Sequence, residues 1–259
     1  MSTASLMPAA AGDDGRNAVK SLRKAMTVLN VVAAADRPLT IAEIAVRAGI
    51  ARPTAYRFVQ TLVAEGYLAQ SPVDSRCSIG LGVLPLAGSV LDRNRVRIEA
   101  LPHLNALAQQ TGERANLGIL YRDRLLYIAG VEKPALPMIY SRFGKTVSAQ
   151  CCSLGKAILA YWPEPEVRAL IGRQPLKAYT PNSITDAAAF MVELAETRAR
   201  GYAVDCAELV AGSYCLAVVI LDARNQPVGA IGLSGRALEP LVAHATLVRQ
   251  TAELISHLL

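Results

Sequence analysis

The stretch TIAEIAVRAGIARPTAYRFVQTLVAEGYL, residues 40–68, repeats its apolar residues at helical spacing yet carries Gly49 and Pro53 near its middle. One helix through both is excluded, since glycine costs about 1 kcal/mol and proline about 3 kcal/mol in a helix interior. The same residues are favoured at helix ends. Glycine suits the left-handed position that closes a helix, and proline suits the first turn, where its missing N–H has no partner to lose. The stretch therefore predicts two helices joined by a tight turn. The first opens with a capping box, Thr40-Ile41-Ala42-Glu43, and ends at Gly49. The second begins near Ala51–Pro53 and runs to about Glu65, with Gly66 as its stop. Its Ala55, Phe58, Val59 and Leu62 share an inward face, which leaves Arg52, Thr54, Tyr56 and Arg57 outward beside Pro53.

A helix over Val19–Ala35 precedes this pair, with Leu22, Met26, Leu29 and Val32 as its apolar stripe and Arg37-Pro38 as its end. After Gly66, Tyr67-Leu68-Ala69, a turn at Ser71–Arg76 and Cys77-Ser78-Ile79 read as strand, turn and strand. Three helices and such a wing make a winged helix-turn-helix over residues 17–82, whose third helix fits a major groove. Charge supports this. The chain is +6 overall, and Arg16–Arg76 holds nine Lys/Arg against four Asp/Glu, so five of the six excess charges lie there. A basic module on a nearly neutral body favours double-stranded DNA as partner. Arg52 and Arg57 are candidates for guanine edges, and Thr54 and Tyr56 for thymine methyls or phosphates. Amides beside Thr40 can hold a phosphate, and Arg47 and Arg76 supply backbone charge.

The remainder is an expected second domain. At 259 residues and 52% hydrophobic content the chain can bury two cores, and its longest apolar run after residue 100, Cys215–Leu221, is too short to cross a bilayer. Residues 1–16 lack the order of a signal peptide and read as a disordered leader, which places the protein in the cytoplasm. Five cysteines without a C-x-x-C pair suggest reduced thiols and no cofactor or metal. Gly82–Arg97 reads as a linker helix (assigned to residues 83–98) with Leu86, Val90 and Leu91 on one side. Within 99–259, helices are expected over Glu99–Thr111, Leu154–Tyr161, Ala187–Arg200 and Pro240–Leu258. Hairpins are expected around Arg122-Asp123-Arg124 and around "DARNQP", with a further strand at "PMIYSRFG". The sum is an α+β fold with a mostly antiparallel sheet. It has neither G-x-x-x-x-G-K-[ST] nor G-x-G-x-x-G.

The ordered blocks "SLRKAMTVLNVV", residues 40–68, "GERANLGIL", "SLGKAILA" and "RARGYAVDCAELVAGSYCLAVVILDARNQPVGAIGLSG" resemble the IclR family of bacterial transcription regulators over nearly the whole chain. The resemblance implies a winged helix joined to a GAF-like α/β effector domain, acting as a dimer or dimer of dimers on operator DNA. RNA polymerase is a further candidate partner, and a membrane is not. It implies an effector pocket lined by Leu136, Ile139, Ser153, Leu154, Asp205, Cys215 and Ser234. The chain departs from the family at Gln150 (often histidine), Leu154 (often small), Val218 (often proline), Gly232 (a second pocket serine) and Cys77 (the wing tyrosine). The implied function is a ligand-responsive regulator, repressor or activator, of a catabolic or transport operon. Its effector would be a small organic molecule, aromatic or carboxylate-bearing, with Asp205 favouring a neutral or hydroxylated aromatic one.

Two rival readings stand beside this. A cysteine enzyme would use Cys151 or Cys152 as nucleophile, His103, His244 or His257 as base, and Asp205 as orienter. A metal sensor would use Asp205, Glu208, Cys151, Cys152 and Cys215, a mixed set of hard and soft donors without recognisable spacing.

Overall fold

Three helices and a two-stranded ribbon open the chain: α1 (Lys20–Ala33), α2 (Ile41–Ala48), α3 (Arg52–Ala64), β1 (Leu68–Gln70) and β2 (Cys77–Ile79). The computed structural model describes residues 19–132 and 144–259, so Leu136, Ile139 and the strand expected at "PMIYSRFG" lie outside the described residues. The described chain divides into two units, one ending at Arg93 and one spanning Asn94–Leu259.

In the first unit the sequence logic at Gly49 and Pro53 is realised. Gly49 closes α2 at φ 65°, and Pro53 sits in the first turn of α3. Leu39 and Cys77 exchange backbone hydrogen bonds of 3.0 and 2.7 Å, which ties the loop before α2 to the wing. Val28, Val32, Leu39, Ile44, Val59, Leu62, Leu68 and Cys77 form the core. Cys77 thus stands in the wing as a packing residue. The expected stripe of α1 needs correction: Leu22 and Met26 are 61% and 46% exposed, whereas Val32 is buried and Leu29 packs half-buried against the core. Only the later half of the stripe therefore faces inward. It is joined there by Val28, which counting in helical steps from Leu22 misses.

The connector also differs from one helix over 83–98. It is α4 (Val83–Leu91) followed by α5 (Arg95–Thr111), with the break at Asp92–Asn94. Asn94 sets the new start, its side chain accepting the Arg97 amide at 2.9 Å. Arg97 therefore belongs to α5.

In the second unit, β3 (Arg114–Tyr121), β4 (Arg124–Val131), β5 (Thr146–Ser148), β6 (Ala203–Cys206), β7 (Tyr214–Leu221) and β8 (Pro227–Gly235) form one sheet in the order β5-β4-β3-β8-β7-β6. Every described pairing is antiparallel. The helices are α6 (Ser153–Leu159), α7 (Glu164–Arg173), α8 (Ala187–Arg200), α9 (Leu238–Ala243) and α10 (Ala245–His257). The terminal helix expected over Pro240–Leu258 is thus two helices meeting at His244. One sheet face packs Leu216, Val218, Ile220 and Ile231 against α5, α9 and α10. The other packs Ala217, Ala230, Leu125 and Tyr127 against α6, α7 and α8. The fold is α+β with a sheet whose described pairings are all antiparallel, and the unbroken apolar runs of β7 and β8 are covered by helices on both faces.

Candidate DNA-binding and effector sites

The third helix presents the predicted face. Ala55, Val59 and Leu62 are buried and Phe58 half-buried, which holds α3 down at helical spacing. Arg52, Pro53, Tyr56 and Arg57 are exposed and Thr54 half-buried. Among the described residues the guanidiniums of Arg47, Arg52 and Arg57 have no hydrogen bond or ion pair, so their full charge is available to a polyanion. A side-chain bridge missed in the sequence runs from α3 to the wing: Gln60 Nε2 donates to Gln70 Oε1 at 3.2 Å, and Gln70 Nε2 to the Ser75 carbonyl at 3.0 Å.

Two of the expected phosphate contacts are engaged within the chain. The Thr40 amide donates to Glu43 Oε2 at 2.8 Å, completing the capping box. Arg76 donates to the Pro38 carbonyl at 3.1 Å and pairs with Glu43 at 3.5 Å and Asp74 at 3.4 Å. Arg37, passed over in the sequence, lies 2.5 Å from the other oxygen of Glu43.

The described effector candidates come together on the α6 face of the sheet. Asp205 pairs with Cys215 across β6 and β7, and Cys215 with Ser234 across β7 and β8, so the three form a row. The Cys215 Sγ lies 3.1 Å from Ser234 Oγ. Asn116, missed in the sequence, donates to the same hydroxyl at 3.0 Å from β3. Alternation in "RANLGIL" does place Asn116 on the face of Arg114, whose guanidinium is held by Glu132 at 2.6–2.7 Å. Ser153 and Leu154 are buried in the first turn of α6. Helix α6 packs on β6, β7 and β8, which brings its N-cap Cys152 into the same neighbourhood, where burial foremost, and the Asp205 carboxylate after it, push the Cys152 thiol up.

A buried ionic cluster backs this arrangement. Lys156 of α6 is 1% exposed, 2.6 Å from Glu208 and 3.2 Å from Glu193, which Arg200 also holds at 2.8 Å. Burial by itself lowers the Lys156 pKa, but the two carboxylates outweigh it and the net shift is upward. Asp205 accepts the Glu208 amide at 2.7 Å, so β6, its following loop and α6 are tied together. A lone lysine inside the otherwise apolar "SLGKAILA" was the sequence signal for this cluster. Gln150 donates from its amide nitrogen to the carbonyls of Lys177 and Ile184, both at 3.2 Å. Gly232 has no room for a side chain, since a Cβ would lie 2.2 Å from the Leu216 carbonyl oxygen.

The rival readings lose their geometry. His103 lies on α5, His257 on α10 and His244 between α9 and α10, all on the opposite side of the sheet from Cys151 and Cys152. Burial also pushes Cys151 up to about 11 and Cys152 higher, the wrong direction for a nucleophile. Among the described residues no three His, Cys, Asp or Glu side chains cluster as metal ligands. No described helix is long and apolar enough to cross a membrane. A separate cavity of about 290 Å³, lined by Trp162, Val167, Met191 and Leu194 among others, contains none of the effector candidates.

Comparison with known proteins follows the same division. Residues 21–72 match the IclR helix-turn-helix domain, and residues 88–257 match the C-terminal domain of the bacterial transcriptional regulator IclR. The chain is 34% identical over 217 residues to the glycerol operon regulatory protein of Streptomyces griseus, covering 84% of this chain and 85% of that one. An IclR transcriptional regulator from Alicyclobacillus acidocaldarius superposes with a TM-score of 0.82 at 31% identity, covering 93% of this chain and 98% of that one. An IclR homologue from Microbacterium hydrocarbonoxydans, crystallised with 4-hydroxybenzoate, shares the fold at TM-score 0.79 and 22% identity, covering 92% and 98%. The named relatives are transcriptional regulators, not enzymes, and on both its domains this chain belongs to the IclR family as a ligand-responsive, DNA-binding transcriptional regulator.

Proposed function

We propose that the protein controls a catabolic or transport operon in the cytoplasm by binding operator DNA through Arg52, Pro53, Thr54, Tyr56 and Arg57, with Arg47 at the backbone. It responds to a small organic effector held by Ser153, Leu154, Asp205, Cys215 and Ser234, with Leu136 and Ile139 completing the pocket. The observation that carries the reading is the cross-strand row Asp205–Cys215–Ser234 lying under the start of α6. A row of one carboxylate, one thiol and one hydroxyl, joined by the Asn116 amide, recognises hydroxyl and carbonyl groups, while buried Leu154 offers an apolar wall. A hydroxylated aromatic or a hydroxy acid fits that chemistry. The 4-hydroxybenzoate of the Microbacterium homologue supports the former, and the glycerol operon regulator the assignment to catabolism.

The protein acts as a homodimer or a dimer of dimers, in which the effector shifts the population between arrangements of the DNA-binding heads. RNA polymerase contact belongs to this reading only if the protein activates.

The test is a thermal-shift screen with 4-hydroxybenzoate, related hydroxybenzoates, short oxo-acids, sugar acids and glycerol. A compound at 100 times its Kd raises stability by about 2.7 kcal/mol. Ser234→Ala is expected to cut the shift by half or more while leaving duplex binding intact. A compound whose shift in both Ser234→Ala and Asp205→Asn equals that of the native protein would place its site elsewhere.

A further inference from the structure

The five arginines from Arg37 to Arg76 fall into two sets. Arg47, Arg52 and Arg57 are exposed and, among the described residues, unengaged. Arg37 and Arg76 both reach one carboxylate, that of Glu43, and Arg76 also pairs with Asp74 at 3.4 Å. Glu43 Oε1 lies 2.5 Å from Arg37 Nη2, and Glu43 Oε2 lies 3.5 Å from Arg76 Nη1. The pairing is local geometry, not chance overlap of long side chains. Glu43 is fixed by its own capping bonds to the amide and hydroxyl of Thr40 at 2.8 and 2.9 Å. Arg76 is fixed by the Pro38 carbonyl at 3.1 Å. The Arg37 guanidinium first, then Thr40, holds the Glu43 carboxyl down to about 2, so it stays ionised wherever DNA is bound.

In a helix-turn-helix the helix before the recognition helix crosses the phosphate backbone. Here that helix is α2, and Glu43 lies in its first turn. A phosphate approaching Arg37 or Arg76 meets a carboxylate already between them. We propose that Glu43 withholds Arg37 and Arg76 from the DNA backbone and so acts as a specificity-determining residue. Phosphate contacts add affinity without sequence information. Removing two of them leaves a larger share of binding to the recognition helix, which lowers non-specific occupancy relative to operator binding. The side chains of Arg37, Glu43 and Arg76 are 54%, 32% and 37% exposed, so solvent screens the pairs and they are strongest at the low-salt end of the range. The inference rests on α2 and α3 forming the DNA surface.

The experiment uses the full chain and a 30-base-pair duplex of arbitrary sequence, with anisotropy read from 50 to 200 mM KCl. Glu43→Gln keeps an acceptor for the Thr40 amide, since glutamine also completes a capping box. It is expected to tighten duplex binding at 50 mM on the order of tenfold and to steepen the log–log salt slope by roughly 1 to 2, at about 0.9 per phosphate gained. In the native background Arg37→Ala and Arg76→Ala are expected to leave the slope unchanged. In the Glu43→Gln background each is expected to remove about one unit of it. An unchanged slope in Glu43→Gln overturns the proposal, as does a shallower slope in native-background Arg76→Ala. A gain that survives loss of both arginines is plain net charge and overturns it too. Arg57→Ala in the native background separates the two levels: if it has no effect on binding, the DNA surface itself is misassigned.

Discussion

Lys156 is fully enclosed in a helix whose every residue is buried, and its charge is tolerable only because Glu208 and Glu193 meet it. One oxygen of Glu208 is buried and has no hydrogen-bond partner among the described residues, so the cluster has no spare donor to replace the lysine. Breaking such a pair from one side is costly, whereas removing both partners is cheaper, because no isolated charge is left in low dielectric. Lys156→Met is therefore expected to destabilise the effector domain by about 3–5 kcal/mol in urea unfolding. Adding Glu208→Gln should recover a clear part of that loss, since Glu193 retains Arg200. If Lys156→Met costs under about 1 kcal/mol, the lysine is solvated in the native ensemble and the cluster is not the anchor of α6. Asp205 joins the same network through the Glu208 amide, so that loss should also weaken effector binding.

At the scale of elements, what could be read in advance was what is local. The capping box, the left-handed Gly49 and Pro53 in the first turn each involve residues within a few positions, and α2 and α3 follow from them. Thr40→Ala removes the hydroxyl that accepts the Glu43 amide at 3.3 Å, and it is expected to lower the winged unit's stability by about 1 kcal/mol. Differential scanning calorimetry of the variant checks this, and an unchanged transition would mean that the carboxylate half of the box suffices. The long hairpin of β7 and β8 was equally legible, because its unbroken apolar runs flank Asp222, whose carboxylate accepts the Arg224 and Gln226 amides. Strands β5 and β6 escaped because three- and four-residue edge strands carry too short an alternation to stand out. Helix α7 opens with two prolines in "PEPEV", which reads as loop until Val167 and Leu170 are seen buried. The site divides the same way. Outward residues on α3 follow from period alone. The pairing of Lys156 with Glu208 spans 52 positions, and the capture of Arg76 by Glu43 depends on the wing folding back to Pro38, so neither is encoded in any local pattern.

At the scale of the whole molecule, the described feature that most needs a partner is α4. It buries none of its residues, and Leu84, Leu86 and Val90 are 59%, 57% and 66% exposed, with Leu81 before it at 80%. The early apolar residues of α1, Leu22 and Met26, are exposed in the same unit. An exposed run of leucine and valine on a nine-residue helix is the kind of surface a soluble protein covers by association. In the proposed dimer a second copy of the chain covers it: two heads reading half-sites a helical turn apart would need a fixed relation to each other, and a twofold contact would supply it. Replacing Leu86 and Val90 by glutamate puts two like charges on each copy at that contact. The variant is expected to sediment as a smaller species than the native protein at micromolar concentration. Its affinity for a two-half-site operator should fall by at least about 100-fold, because each head then binds without the effective concentration supplied by its twin. Thermal shifts from the effector should persist, since α4 lies outside the Asn94–Leu259 unit that holds the proposed pocket residues. A variant that sediments as the native protein does would show that α4 is not the contact, and the exposed Leu22 and Met26 of α1 would then be the residues to change next.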